Sequence, residues 1–196
     1  MYRENKHNSE QKDWKEVDSK FTSWSYNVIS CLKDKSTEQI KEYCQNNSLP
    51  FAVMMANLQG DFNFASVIRS ANAFGAREVF YYGKKKYDRR GTTGVYHYTK
   101  ITFLQQDEVL SLKDKYSFVC LENNKPNVIS LFDFDWKTEK QPLLILGEEG
   151  SGIEDWLLDQ SDYNVEIPQR GSVRSINAAC AASVAMSHYS ASYFKR

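Results

Sequence analysis

Short apolar runs alternate with segments of helical periodicity from residue 50 onward, and this alternation restricts the fold more than any other sequence feature. Phe51–Ala56 is an apolar run of strand length, and Asp61–Phe74 follows it with apolar residues at three- and four-residue spacings. Strands that alternate with helices favour an α/β fold, with a mostly parallel sheet and helices on both of its faces. Further strands are predicted at Glu78–Tyr82, Ile101–Leu104, Ser117–Leu121, Leu143–Leu146 and Asn164–Ile167, and further helices at Asp107–Lys113, Glu154–Asp159 and Ser175–Tyr189.

The first 49 residues contain neither glycine nor proline and differ in character from the rest of the chain. Their polar composition predicts a short helical N-terminal extension, residues 1–49, before a main domain of residues 50–196. Within the extension we predict helices at Glu10–Phe21 and Ser36–Gln45, the second opened by a Ser36 and Gln39 capping box. An extension of this size buries little core alone, so we expect it to pack on the main domain or on a partner.

Composition and cysteine placement exclude several classes of protein. Apolar residues make up 41% of the chain and charged residues 26%, as in ordinary globular domains. No apolar run approaches the ~20 residues of a membrane span, and the polar N-terminus lacks the apolar core of a signal peptide. We therefore expect a cytoplasmic protein without membrane contact. The four cysteines are widely spaced and form no C-x-x-C pair, which favours reduced thiols and no metal site.

Charge is unevenly placed, although 25 basic and 25 acidic residues balance overall. Residues 77–100 contain seven basic and two acidic side chains, whereas residues 147–166 contain seven acidic and no basic ones. A local basic patch is sufficient for phosphate contacts, because salt screens charges beyond about 8–10 Å. The basic run is a candidate nucleic-acid contact, with a solvated surface loop as the alternative. Its members are Lys84, Lys85, Lys86, Arg89 and Arg90.

Ligands of open α/β sheets bind beyond the carboxyl ends of the strands, and the first predicted strand leads directly to Asn63 and Arg69. Asn63 is equally explained as a helix cap, and Arg69 as an exposed residue that favours helix. Arg69 directly follows Val67 and Ile68 on a helix that we expect to be largely buried. We therefore expect its guanidinium to need an acceptor, such as a phosphate or a carboxylate.

Two later strand ends also carry candidate site residues. Gly147–Ile153 holds three glycines that permit close approach of the backbone to a ligand, and it lacks the lysine of a phosphate-binding P-loop. Its adjacent carboxylates suit a cationic ligand, although an ordinary glycine-rich turn is the alternative. After Ile167, a polar loop leads into a helix of small residues, which suits either close packing or a nearby cofactor.

Three motifs in this order resemble the SpoU/TrmH branch of the SPOUT RNA methyltransferases. The first is an Asn followed six residues later by an Arg, the second is G-x-E-x-x-G, and the third is I-P-x-x-G-x-x-x-S-[LI]-N. The resemblance covers roughly residues 51–194. The matched positions are Asn63 and Arg69 in the first motif, Gly147, Glu149 and Gly152 in the second, and Ile167, Pro168, Gly171, Ser175, Ile176 and Asn177 in the third.

The resemblance implies several properties that the residues alone do not show. It implies a deep trefoil knot in the C-terminal part and a homodimer whose active site forms near the subunit interface. It also implies S-adenosylmethionine as cofactor, no metal, and a catalytic set formed by Asn63, Arg69, Glu149, Ser175 and Asn177. The cofactor-binding residues that it implies are Leu146, Gly147, Glu149, Gly152, Ile167, Ser175, Ile176 and Asn177.

On this resemblance we expect methylation of a ribose 2′-hydroxyl in structured RNA, with tRNA favoured over rRNA because the N-terminal extension is short. Arginine is a poor proton acceptor, so we expect Arg69 to clamp a phosphate and to stabilise charge on the attacking oxygen. Two alternatives stay open from the sequence. One is a non-catalytic RNA-binding protein with this fold, and the other is a small-molecule methyltransferase, which the basic run disfavours.

Overall fold

The computed structural model describes residues 27–194, except residues 124 and 126. The predicted helix at Glu10–Phe21 lies outside the described residues. The strands are β1 (Leu49–Ala56), β2 (Ala76–Tyr82), β3 (Ile101–Phe103), β4 (Tyr116–Leu121), β5 (Ile129–Ser130), β6 (Gln141–Leu146) and β7 (Tyr163–Glu166), and the α-helices are α1 (Thr37–Asn46), α2 (Asp61–Ala73), α3 (Asp155–Leu158) and α4 (Ala178–Phe194).

In the described part of the chain, the seven strands form one sheet in the order β3-β2-β1-β6-β4-β7-β5. Every paired strand runs parallel to its neighbour, which confirms the predicted α/β class. The chain leaves β1 toward one edge and later returns to place β6 on the other side of β1. The centre of the sheet is therefore a point at which the strand order reverses, and such points are where open α/β sheets bind ligands.

Alternate residues of β1 enter two separate cores, one on each face of the sheet. Val53 and Met55 pack with residues of α2 and α4, including Phe64 and Met186. Met54 faces the opposite core, which includes residues of α3. Helices thus cover both faces, and the two longest of them, α2 and α4, share one face.

Helix α1 confirms the predicted helix at Ser36–Gln45 and joins the main core. The Ser36 hydroxyl accepts a hydrogen bond from the Gln39 backbone N–H, and the Gln39 side chain accepts one from the Ser36 N–H. Ile40 is fully buried in the same core as α2 and α4. This described part of the N-terminal segment therefore packs on the main domain.

Three elements differ from the sequence prediction. The helix predicted at Asp107–Lys113 is a 3-10 helix, Gln106–Asp114, and the two-residue strand β5 is too short to leave a pattern in the sequence. Helix α4 begins at Ala178 and not at Ser175. The Asn177 side chain explains this start, because its Oδ1 accepts hydrogen bonds from the N–H groups of the first turn.

Candidate functional site

The carboxyl ends of four neighbouring strands meet at one edge of the sheet. Met55 of β1 and Leu121 of β4 both pair with Leu146 of β6, and Leu121 also pairs with Val165 of β7. Parallel pairing places the loops that follow these strands side by side. The sequence motifs occupy three of the four loops.

The loops after β4, β6 and β7 line a cavity of about 540 Å³, a size typical of small-molecule and cofactor sites. Every residue that the resemblance assigns to the cofactor lines this cavity. They are Leu146, Gly147, Glu149, Gly152, Ile167, Ser175, Ile176 and Asn177.

The carboxylate of Glu149 joins the second motif to the first. It accepts hydrogen bonds from the backbone N–H groups of Gln59 (3.3 Å) and Gly60 (3.2 Å) and from the Asn63 side-chain amide (2.6 Å). Burial acts to raise the pKa of Glu149, but these hydrogen bonds outweigh it and the pKa is lowered. Glu149 is therefore ionised at neutral pH and serves as an acceptor for the first loop.

Asn63 extends this junction to the third motif. The Asn177 side-chain amide donates to Asn63 Oδ1 at 2.9 Å, while Asn177 Oδ1 caps α4. Asn63 is a buried polar residue at 8% exposure, and both ends of its amide are satisfied. Three segments that are remote in sequence thus meet in one Glu149–Asn63–Asn177 chain of hydrogen bonds.

The second carboxylate of the glycine-rich loop has a different role. Glu148 and Gly152 exchange two backbone hydrogen bonds, which close the loop. The Glu148 carboxylate accepts hydrogen bonds from the Ser151 hydroxyl and from the N–H groups of Ser151 and Gly150, and these bonds lower its pKa. Glu148 therefore stabilises its own loop, whereas Glu149 reaches across to the neighbouring one.

The residues that line the cavity but were not predicted site residues include Glu122, Asn123, Gln169 and Arg174. The Glu122 carboxylate accepts a hydrogen bond from the Ile153 N–H at 3.0 Å, and the Asn123 side chain donates to the Arg174 carbonyl at 3.0 Å. Glu122 directly follows the predicted strand Ser117–Leu121. Its position just beyond the carboxyl end of a strand is the sequence signal that marks Glu122 as a site residue.

The expectation of a buried Arg69 is wrong. Helix α2 turns Val67 and Ile68 into the core, and the next position, Arg69, is exposed. Arg69 makes no hydrogen bond or ion pair with any other residue that the structure describes. It lies one turn after Ala65, whose Cβ would be 2.8 Å from a Cβ on Gly91. Arg69 is therefore on the same side of α2 as Gly91, the residue that follows the basic run.

The five residues of the basic run are not equivalent. Lys84 pairs with Asp61 at 2.6 Å, and Arg90 pairs with Asp88 through its guanidinium. The other three side chains are exposed and form no ion pair within the described residues, although Arg89 lies over the Tyr96 ring at 4.0 Å. The uncompensated cations of the run are Lys85, Lys86 and Arg89.

Two kinds of feature are not found within residues 27–194, residues 124 and 126 aside. No group of three or more His, Cys, Asp or Glu side chains is arranged to hold a metal ion. None of the helices combines the length and apolar character that a bilayer span requires.

Comparison with protein families gives a match over most of the chain. A family model described as the SpoU rRNA Methylase family matches residues 50–187. The tRNA (guanosine(18)-2'-O)-methyltransferase of Aquifex aeolicus is 23% identical over 160 residues, which cover 77% of this chain and 74% of that protein. The 23S rRNA (uridine(2479)-2'-O)-methyltransferase of Streptomyces viridochromogenes is 31% identical over 132 residues, which cover 61% of this chain but only 45% of that protein.

Solved structures show the same fold. The SpoU methyltransferase AviRb of Streptomyces viridochromogenes superimposes with a TM-score of 0.67 at 26% identity, over 75% of this chain and 62% of that one. A second structure of AviRb, in complex with the cofactor AdoMet, gives a TM-score of 0.65 at 25% identity over 76% and 58%. The TrmH/SpoU tRNA modifying enzyme of A. aeolicus gives 0.71 at 18% identity over 81% and 83%.

The glycine-rich loop leaves no room for a side chain at Gly147. A Cβ there would lie 2.2 Å from the Gly152 carbonyl carbon and 2.3 Å from the Ile153 nitrogen, both of which are backbone atoms. We predict that Gly147→Ala lowers the free energy of unfolding by about 1–3 kcal/mol, the usual cost of overpacking. Chemical denaturation measures this change.

Gly171→Ala is the matched control, because nothing lies within 4 Å of a Cβ at Gly171. Its unfolding free energy should stay within about 0.5 kcal/mol of wild type. Equal effects of the two substitutions would contradict the close backbone packing at Gly147.

Proposed function

This chain belongs to the SpoU rRNA methylase family, and we propose that it transfers the methyl group of S-adenosylmethionine to a ribose 2′-hydroxyl of structured RNA. The match to the family model confirms the resemblance that the three motifs indicated. The observation that carries the proposal is the junction of Glu149, Asn63 and Asn177 at the wall of the cavity. The 2′-O-methyltransferases among the relatives support the same reaction for this chain.

The cavity suits S-adenosylmethionine because its lining is acidic and because part of its wall is glycine backbone. Three acidic residues, Glu122, Glu148 and Glu149, line it together with one basic residue, Arg174, and this acidic balance favours a cationic ligand. The glycine-rich loop exposes backbone without side chains, which allows close approach. The bound cofactor supplies an activated methyl group on a positively charged sulfur. Its proposed binding residues are Leu146, Gly147, Glu149, Gly152, Ile167, Ser175, Ile176 and Asn177.

Arg69 contributes electrostatically and not as a base. A guanidinium cannot be deprotonated in proteins and so accepts no proton. Arg69 is exposed and unpaired among the described residues, so its charge is available to bind a phosphate and to stabilise charge developing on the attacking oxygen. Asn63 and Glu149 fix the loop that precedes α2. Asn177 ties the third loop to Asn63, and Ser175, which lines the cavity, is proposed to hold the substrate and the cofactor loop with it.

RNA contacts the protein through the exposed cations of the basic run. Lys85, Lys86 and Arg89 are exposed and form no ion pair with another described residue, and phosphate contacts by such cations bind the RNA backbone without reading its sequence. The longer alignment with the A. aeolicus tRNA enzyme supports tRNA as substrate. The higher identity with the S. viridochromogenes rRNA enzyme supports rRNA. We propose tRNA, and the experiment below compares the two.

We also propose that two copies of the chain pair through α4. This 17-residue helix contains no Lys, Arg, Asp or Glu, and it exposes a stripe of small and apolar residues at Cys180, Val184, Ser187 and Ala191. Such a face is suited to another protein surface more than to water.

For the dimer, we expect a wild-type mass near twice 22.7 kDa by sedimentation, because burying the α4 stripe removes apolar surface from water. Val184→Arg should shift the protein toward the monomer. A monomeric wild-type protein would refute this arrangement.

The deep trefoil knot and the division of the chain at residue 49 stay predictions. The knot rests on the family resemblance of the three motifs. A crystallographic chain trace that passes these loops without threading one through another would refute it.

Transfer of radiolabelled methyl from S-adenosylmethionine to RNA tests the proposed reaction. We expect the wild-type protein to label total tRNA more than rRNA, and the labelled ribose to survive mild alkali within an uncleaved dinucleotide. Arg69→Ala should lower the rate by about 100-fold or more, the usual cost of removing a group that stabilises transition-state charge.

Arg77→Ala is the control for loss of a positive charge. Arg77 is exposed near the start of β2, at the opposite end of the sheet from the cavity, and donates to Ser48 and Gln141. Its rate should stay within about twofold of wild type. RNA binding without label transfer would contradict the proposal and favour a non-catalytic RNA-binding protein, and label on a base would contradict the ribose as target.

A further inference from the structure

The loop at residues 57–60, between β1 and α2, is held from two opposite sides. On its amide side, the N–H groups of Gln59 and Gly60 donate to Glu149. On its carbonyl side, the Tyr87 hydroxyl donates to the Leu58 carbonyl, and Lys84 Nζ donates to the Gln59 carbonyl at 3.0 Å. Lys84 of the basic run and the nearby Tyr87 therefore bind the carbonyl side, whereas Glu149, a residue of the cavity wall, binds the amide side.

Tyr87 is packed so that its hydroxyl has little freedom. Its ring stacks on Phe64, the residue after Asn63, with ring centres 3.8 Å apart and an interplanar angle of 4°. The Tyr81 ring meets it edge-on at 5.7 Å. Burial, followed by nearby Tyr81, Asp61 and Glu149, raises the pKa of Tyr87 to about 12. The hydroxyl thus keeps its proton and donates to Leu58 throughout the neutral range.

Lys84 differs from the other lysines of the basic run. Its ammonium lies 2.6 Å from Asp61 Oδ1 and 5.1 Å from the centre of the Tyr87 ring. Asp61 opens α2, so the ion pair ties the basic run to the helix that carries Asn63. Lys85 and Lys86 have no such partner among the described residues. Lys84 is therefore the lysine of the run whose charge an acidic side chain of the described structure compensates.

The backbones of the two loops also touch. Asn57 has φ +52° and Gly83 has φ +90°, and a Cβ at Gly83 would lie 3.0 Å from the Asn57 Cα, a backbone atom. Only a residue without a side chain allows this approach. The contact leaves Tyr87 and Lys84 close to the carbonyls that they bind.

We propose that Tyr87 and Lys84 are positioning residues that fix the loop at residues 57–60 against Glu149, and that Lys84 is not an RNA phosphate contact. The kinetic consequence rests on the proposed methyl transfer. If the carbonyl side of the loop is released, its two N–H groups no longer meet the Glu149 carboxylate in a fixed geometry. Catalysis then falls, because small displacements of positioning groups are costly, whereas RNA affinity is kept.

Steady-state kinetics and RNA binding separate positioning from RNA contact. We expect Tyr87→Phe and Lys84→Met each to lower kcat about 10-fold, with the KM and Kd for RNA within about twofold of wild type. Lys84→Arg should recover most of kcat, because it restores a cation beside Asp61. Lys86→Met is the matched control, and its effect should fall on the Kd for RNA, which rises about 3-fold or more.

A second measurement does not depend on activity. Amide hydrogen exchange of Gln59 and Gly60 should be about 10-fold faster in Tyr87→Phe, while the amides of β1 keep their wild-type rates. If the wild-type protein methylates no RNA, the proposed function fails, and this exchange result still decides the positioning role. Unchanged exchange at both amides would overturn it.

Asp61→Asn tests the role of Lys84 separately. If Lys84 acts through Asp61, Asp61→Asn lowers kcat as Lys84→Met does, and the double variant is no worse than either single one. If Lys84 binds a phosphate, Asp61→Asn frees its charge and tightens RNA binding, and Lys84→Met weakens RNA binding as much as Lys86→Met. That second pattern would overturn the proposal.

Discussion

The candidate site depends on the Glu149 carboxylate, which accepts two backbone N–H groups and one side-chain amide from a loop about 90 positions earlier in the chain. A carboxylate is suited to this place because it offers only acceptors and carries a full charge, so its hydrogen bonds are stronger than those of neutral groups. The same bonds keep its pKa low despite burial. Loss of this acceptor would leave several donors of the first loop without partners.

The parallel sheet makes this junction possible. Because β1 and β6 are neighbours and run in the same direction, the loops that follow them begin side by side, and a single side chain spans the gap. Asn63 then relays the contact to Asn177, which caps α4. One set of hydrogen bonds thus connects the glycine-rich loop, the start of α2 and the cap of α4.

Local periodicity predicted the architecture, and the rule that ligands bind beyond strand ends pointed to the loops of the site, whereas the individual cofactor-binding residues were implied by the family resemblance of the three motifs. Sequence patterns failed where three-dimensional neighbours decide. Arg69 follows two buried residues in sequence, but helical geometry turns it outward. Lys84 belongs to a basic run, yet its partner Asp61 is 23 positions away and is brought close by strand pairing. The start of α4 at Ala178 depends on a cap by Asn177 that no periodicity shows.

We infer that Glu149 and Asn63 act together to build a cofactor site. Isothermal titration of S-adenosylmethionine into wild type, Glu149→Gln, Asn63→Ala and the double variant tests it most directly. We predict that each single variant binds S-adenosylmethionine at least about 10-fold more weakly than wild type, a loss of about 1.4 kcal/mol or more in binding free energy. The double variant should be no more than about twofold weaker than the weaker single one, because both changes break the same contact. Wild-type affinity in Glu149→Gln, or fully additive losses in the double variant, would contradict it.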